Sequence, residues 1–133
     1  MVYTNEFMFD GCCLGRSILI AEDEEVNYLF LEELLSQSHA TIYRAHDGQE
    51  AVELMRQHPE IFLVLMDIKM PRLNGFEATS QIKAINPAVK IIATTAYAFI
   101  EDKEKALSVG CDSYVAKPIS IKVLVEAIEK AMS

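Results

Sequence analysis

Apolar and polar positions alternate on a short beat from Ser17 onward. Ser17-Ile-Leu-Ile-Ala21 is a compact β-branched run and predicts a strand. Val26 to Ser38 carries apolar residues at 26, 29, 30 and 34, a helical spacing that predicts a helix. Thr41 to Ala45 reads as a second strand. Gly48 to His58 reads as a helix with Ala51, Val52, Leu54 and Met55 inward, stopped by Pro59. Ile61 to Met66 is apolar at every residue, so this third strand is expected to be covered on both faces. Asn74 opens a helix to Ile85, closed by Asn86-Pro87, and Val89 to Thr94 is a fourth strand. Residues 100 to 109 form a more polar helix ending at Gly110, where a glycine suits the residue after a helix. Ser113 to Ala116 is a short fifth strand. Ser120 caps a last helix with Ile121, Leu124, Val125, Ile128, Ala131 and Met132 on one stripe.

Five strand–helix units predict one α/β domain, a doubly wound parallel sheet with helices on both faces and right-handed crossovers. No internal repeat or low-complexity segment interrupts them. Residues 1–16 are less periodic, with an apolar cluster at Phe7, Met8 and Phe9, and are expected to be a leader or linker. The domain is expected over 17–133, with nothing left for a second one.

Charge narrows the partners. Twelve Lys and Arg against 20 Asp and Glu leave a net charge of −8 in 133 residues. That lacks the basic footprint of a nucleic-acid binder and opposes docking on anionic membrane. The longest apolar run, Ile61 to Met66, is far too short to span a bilayer. Met1 to Gly15 lacks the charged and apolar regions of a secretory signal. Cys12, Cys13 and Cys111 stand at no metal-ligand spacing and read as free thiols of a reducing, cytoplasmic compartment.

Ligands of such sheets sit outside the carboxyl ends of the strands. After strand one come Glu22 and Asp23, after strand three Asp67, at the end of strand four Thr94 and Thr95, and after strand five Lys117 and Pro118. Three crowded carboxylates repel one another and raise their own pKa values. A divalent cation and a fixed ammonium would relieve this. Mg²⁺ takes hard oxygen ligands, which Asp23 and Asp67 can supply, with Glu22 acting through a water. Lys117 can be a point charge for an anion. Metal, ammonium and a Thr hydroxyl together would neutralise an incoming phosphoryl group, which is what phosphoryl transfer requires.

The segments Ile18-Leu-Ile-Ala-Glu-Asp-Glu-Glu-Val-Asn27, Leu65-Met-Asp-Ile-Lys-Met-Pro71, Asn74-Gly75, Ile91-Ile-Ala-Thr-Thr-Ala96 and Tyr114-Val-Ala-Lys-Pro118 resemble the receiver domain of two-component response regulators. The likeness covers about residues 17–132 and is greatest to receivers attached to hybrid sensor histidine kinases. It implies a flavodoxin-like sheet in the order 2-1-3-4-5 and a signalling domain, not an enzyme, that assists its own phosphorylation and dephosphorylation. Asp67 would be the phospho-acceptor, served by a histidine kinase or a histidine phosphotransfer protein. Mg²⁺ (or Mn²⁺) would be held by Asp23, by Glu22 through water, by Asp67 and by the backbone carbonyl of Lys69. Thr95, which precedes the small Ala96, would be the switch hydroxyl, and Tyr114 the aromatic switch. Lys117 would be the ammonium, with the Lys117–Pro118 bond cis. Phosphorylation would shift the surface of helix four, strand five and helix five. That surface would act on a partner, or the chain would be one module of a larger protein. Lys69 and Tyr97, each two residues past a site residue, would tune loss of the phosphoryl group, with Tyr97 shielding it from water.

Taken singly, each of these residues has a blander role. Asp67 could be an ordinary strand-end acid, Thr95 a satisfied strand Thr, Tyr114 a half-buried aromatic. Glu24 and Glu25 read as first-turn acids favoured by the helix dipole. His39, His46 and His58 show no ligand spacing and are expected on the surface. Met8, Met66 and Met70 read as filler, and Cys111 as a small packed residue. Two other functions compete. An aspartyl-phosphate phosphohydrolase would place its nucleophile after strand one with an Asp two residues on, whereas Asp67 follows strand three and Lys69 stands at that offset. A flavodoxin-like electron carrier needs a phosphate loop where this chain has Glu22-Asp-Glu-Glu25, which would repel the anion.

Overall fold

A computed structural model of the chain describes residues 15–70, 72–96 and 100–132. Strands β1 (Ser17–Ala21), β2 (Thr41–Ala45), β3 (Ile61–Asp67), β4 (Lys90–Thr95) and β5 (Ser113–Ala116) alternate with helices α1 (Glu25–Ser36), α2 (Gly48–Gln57), α3 (Gly75–Ile85), α4 (Ile100–Ser108) and α5 (Ile121–Met132). All strand pairs are parallel, in the order β2-β1-β3-β4-β5. Element limits differ from the sequence pattern by one or two residues, the usual fraying of ends.

Alternation along the strands builds two cores. Leu19, Val64, Met66, Ile91 and Ala93 pack with Val52, Met55, Phe76 and Ile82 of α2 and α3 and Ala106 of α4. Ile18, Ile20, Leu63, Leu65 and Ile92 pack with Leu31 and Leu35 of α1 and Leu124 and Ile128 of α5. β3 is therefore covered on both faces, as its unbroken apolar run requires.

Capping side chains fix where the helices begin. Asp47 accepts a hydrogen bond from the Glu50 amide at 2.8 Å and Asn74 accepts one from the Glu77 amide at 3.0 Å, each satisfying a free N–H of a first turn. Ser120 accepts one from the Val123 amide at 3.4 Å. At the end of α4, Gly110 takes φ +115°. Its amide bonds the Leu107 carbonyl while the Cys111 amide bonds that of Ala106, a closure that calls for a left-handed residue.

The structure shows which face of α1 is buried and corrects one sequence expectation, for His58. On α1 the buried stripe is Tyr28, Leu31, Leu34 and Leu35. Val26 is 79% exposed, and Leu29 and Phe30 are also exposed. Apolar residues run most of the way round this helix, and the continuous row at i, i+3, i+6, i+7 takes the core, with Tyr28 as its amphipathic member. His58 is not a plain surface residue. It is half-buried, with its ring stacked on Tyr43 at 4.1 Å between centroids. His39 and His46 are exposed. Met66, Met70 and Cys111 are buried, and burial pushes the Cys111 thiol up to about 11, an inert state. The expectations for residues 1–14, including Met8, Cys12 and Cys13, and for Tyr97 lie outside the described residues. Among the described residues no helix is long and apolar enough to cross a membrane.

One close approach ties the fold to the strand ends. The Gly75 amide donates to the Ile68 carbonyl at 3.0 Å. A Cβ at Gly75 would lie 2.5 Å from the carbonyl oxygen of Asp67 and 2.7 Å from the Cα of Ile68. Both neighbours are backbone, so the start of α3 would have to move away from the end of β3. Gly75→Ala is therefore expected to destabilise the domain by about 1–3 kcal/mol, the cost of overpacking. A urea titration checks this, with a lower midpoint expected at unchanged slope.

Candidate functional site

The carboxyl ends of β1, β3 and β5 converge on one group of charges. Glu22 and Asp23 follow β1, Asp67 is the last residue of β3, and Lys117 follows β5. Register places them. The Glu22 amide donates to the Ala45 carbonyl at 3.0 Å, the Ile68 amide to that of Thr94 at 2.9 Å, and the Lys117 amide to that of Thr95 at 2.7 Å. Parallel pairing thus sets three strand ends level, and the side chains just beyond them meet.

The Lys117 ammonium lies 2.9 Å from Glu22 Oε1 and 3.3 Å from Asp67 Oδ2. Glu22 is 1% exposed and Asp67 is 3% exposed, so one cation serves two carboxylates largely removed from water. The backbone satisfies the remaining oxygens. Glu24 N–H donates to Glu22 Oε2 at 3.1 Å, and Lys69 N–H donates to Asp67 Oδ1 at 3.1 Å. Asp23 stands exposed beside them. One oxygen from each of Glu22, Asp23 and Asp67 falls within 4.8 Å of the others. Three carboxylates against one ammonium leave two negative charges uncompensated.

The protonation states follow from this crowding. Burial, and then the Glu22 charge, push Asp67 up from 3.8 to about 7, while the Lys117 charge and the Lys69 amide pull the other way. Burial works against the Lys117 ammonium, yet its hydrogen bond to Glu22 and the charges of Asp67 and Glu22 outweigh it, so its pKa is raised. A cluster of hard oxygens with excess negative charge is the donor set that suits Mg²⁺ or Mn²⁺. A cavity of about 280 Å³ opens onto it, lined by Asp23, Glu24, Asp67, Lys69, Ala96 and Lys117.

The structure brings Glu22, Asp23, Asp67, Lys69 and Lys117 together. Thr95 is fully buried at the end of β4 and touches the group through its carbonyl. Tyr114 is half-buried on β5 beside the α2–α3–α4 core. Burial and then the charge of Asp102 raise its pKa. Neither Thr95 nor Tyr114 lines the cavity. The Lys117–Pro118 peptide bond is cis. Glu25 lies in the first turn of α1 and pairs with Arg44. Sequence reasoning passed over Arg44. The available signal was a charged residue at an inward-facing position, since Arg44 pairs with the buried Ile20.

A flavodoxin-like sheet with an acidic cluster and a lysine at its carboxyl edge defines a class, and comparison with known proteins agrees. Residues 18–129 match the response regulator receiver domain family, and the chain belongs to that family. It is 36% identical over 119 residues to the polar-differentiation response regulator DivK of Brucella anthropi, covering 87% of this chain and 95% of DivK. Among solved structures it is similar to the receiver domain of the Saccharomyces cerevisiae response regulator Ssk1, crystallised with the histidine phosphotransfer protein Ypd1. The TM-score is 0.79 at 31% identity, over 86% of this chain and 87% of that one. In fold it also matches a Borrelia burgdorferi CheX–CheY complex, with TM-score 0.83 at 24% identity, over 89% and 90% of the two chains.

The raised pKa of Asp67 has a consequence for stability without metal. The folded state holds this proton more tightly than the unfolded chain, so the contribution is fully present below pH 3.8 and is lost as pH rises through about 7. The loss amounts to roughly a few kcal/mol, since one pKa unit is about 1.4 kcal/mol. Metal-free Asp67→Asn is therefore expected to be more stable than the wild type above pH 7. Melting curves of both proteins from pH 4 to pH 8 check this, with the gap widening as pH rises.

Proposed function

We propose that the chain is a phospho-acceptor of a two-component phosphorelay, in which Asp67 takes a phosphoryl group from a phosphohistidine of a histidine kinase or histidine phosphotransfer protein. The observation that carries the reading is the sharing of the Lys117 ammonium between Glu22 and Asp67, with an Asp23 oxygen close by. Residues 17–133 would form the receiver and 1–16 a leader or linker, in a cytoplasmic protein.

Asp67 attacks phosphorus as its carboxylate. The new O–P bond forms as the P–N bond to the imidazole breaks, and the electron pair of that bond stays on the histidine nitrogen. Lys117 already touches Asp67 Oδ2 and supplies a positive charge where phosphoryl oxygens arrive. The Lys69 amide holds the other carboxylate oxygen and so orients the nucleophile. Asp23, Asp67, the Lys69 carbonyl and, through a water, Glu22 would hold Mg²⁺ or Mn²⁺. When bound, the ion would supply positive charge against the phosphoryl oxygens, and Asp67, whose pKa near 7 otherwise leaves it partly protonated, would be held as its carboxylate.

The exposed α1 residues supply the entry surface. Val26, Asn27 and Phe30 line a cavity of about 260 Å³ with Lys117, Pro118 and Ile119, so an apolar face is continuous with the acidic pocket through Lys117. A helical partner presenting a histidine beside apolar side chains suits it. The co-crystal of the yeast receiver with a histidine phosphotransfer protein supports that class of partner.

The acyl phosphate at Asp67 would then draw on Thr95 and Lys117 and favour a pre-existing active form. Tyr114, packed on the α4 side of the sheet, would carry the change to the α4–β5–α5 surface.

Incubation with Mg²⁺ and a small acyl phosphate, followed by intact mass and site mapping, tests the reading. One acid-stable, base-labile phosphoryl group on Asp67 is expected, with none on Asp67→Asn. Lys117→Met is expected to slow transfer by about a hundredfold, the loss from removing one charge-stabilising donor. Label on a Ser, Thr or His, or label persisting in Asp67→Asn, would contradict it.

A further inference from the structure

Arg44 lies outside the acidic pocket, yet its guanidinium reaches the segment that carries the pocket's acids and the helix behind it. It stands on β2 opposite Ile20, on the face that α1 covers, and its side chain is only 15% exposed. Nη2 donates to the backbone carbonyl of Glu22 at 3.3 Å. Nη1 donates to the Glu25 carboxylate at 2.6 Å. The guanidinium carbon sits 4.2 Å from the centre of the Tyr28 ring, and the Tyr28 hydroxyl is itself tied to Glu32 at 2.8 Å.

The Glu22 backbone is thus held twice from β2. Its amide donates to the Ala45 carbonyl and its carbonyl accepts from Arg44. The carboxylate that bonds Lys117 hangs from that backbone, and Asp23 is the next residue along. The same guanidinium draws Glu25, an acid three residues from Glu22, onto itself. Only a planar, forked cation can reach two oxygens and stack on a ring at once. We propose that Arg44 is a positioning residue that presets the β1–α1 loop, so that Glu22 and Asp23 are in place for a divalent cation before it binds. The inference rests on the reading of the acid cluster as a Mg²⁺ site.

Charge and position make opposite forecasts here. As a bare cation near the cluster, Arg44 would repel Mg²⁺, and its removal would tighten binding. As a positioning residue it aids binding, because Mg²⁺ tolerates little departure from octahedral geometry. Arg44→Lys keeps the charge and loses the fork, so it separates the two.

The test titrates Mg²⁺ alone into the full wild-type chain, Arg44→Lys and Arg44→Met by calorimetry, at a temperature where circular dichroism shows all three folded. Both variants are expected to bind about tenfold more weakly, the low end for partners that orient metal ligands. Their phosphorylation rate with a small acyl phosphate is expected to return to the wild-type value at saturating Mg²⁺. Wild-type affinity in Arg44→Lys, tighter binding in Arg44→Met, or a lowered melting temperature with unchanged affinity would overturn the proposal. If the Arg44 variants do not fold, Tyr28→Leu keeps an apolar side chain and removes the ring beneath the guanidinium. It is expected to weaken binding several-fold, and unchanged affinity would overturn the proposal. A wild-type chain that binds no Mg²⁺ would instead bring down the site reading beneath it.

Discussion

The Lys117 ammonium, set between Glu22 and Asp67, is the contact on which the rest of the site depends. Two carboxylates removed from water and close to each other cannot both stay ionised without a nearby positive charge. Lys117 supplies one charge for two, and Asp23 adds a third carboxylate at the rim. The balance stays negative, and Asp67 answers by holding a proton up to about pH 7. Removing Lys117 would leave two buried carboxylates without their cation, at a cost of about 3–5 kcal/mol, whereas removing the Asp67 charge relieves the crowding. A site with this residual charge suits a divalent cation, and a carboxylate oxygen beside an ammonium suits a phosphoryl group. The proposed chemistry extends that imbalance.

The sheet does the assembling. Glu22 and Lys117 are 95 positions apart in the chain, yet parallel register brings the ends of β1, β3 and β5 to one edge. Backbone contacts then refine the positions, through the Glu24 amide on Glu22 and the Lys69 amide on Asp67. Gly75 lets the start of α3 close against the carbonyl of Asp67. The α1 face beside Lys117 is left apolar and open. Docking and chemistry would therefore share one residue, and Arg44 would link the helix carrying that face to the loop carrying the acids.

Much of this was legible in the chain itself. β3 announced its double coverage through an unbroken apolar run, and Asn74 and Gly110 marked helix ends through residue types with few other uses there. The acids and the lysine were legible because a parallel sheet leaves one place for ligands, so position after a strand was informative. What stayed hidden depends on which of several apolar rows wins. α1 offers Val26, Leu29 and Phe30 as readily as Tyr28, Leu31 and Leu35, and periodicity alone does not choose between them. His58 stacks on Tyr43 through a tertiary contact that no spacing encodes. Arg44 was hidden for the opposite reason: its inward position could be read, but its partners lie on the β1–α1 loop and on α1.

The side-chain carboxyl carbon of Asp67, followed by NMR as pH is changed in the metal-free protein, reports the charge crowding at the strand ends. A midpoint near pH 7, moving to lower pH when Mg²⁺ is added, is expected. A midpoint at the ordinary carboxylate value of about 4, indifferent to Mg²⁺, would contradict it.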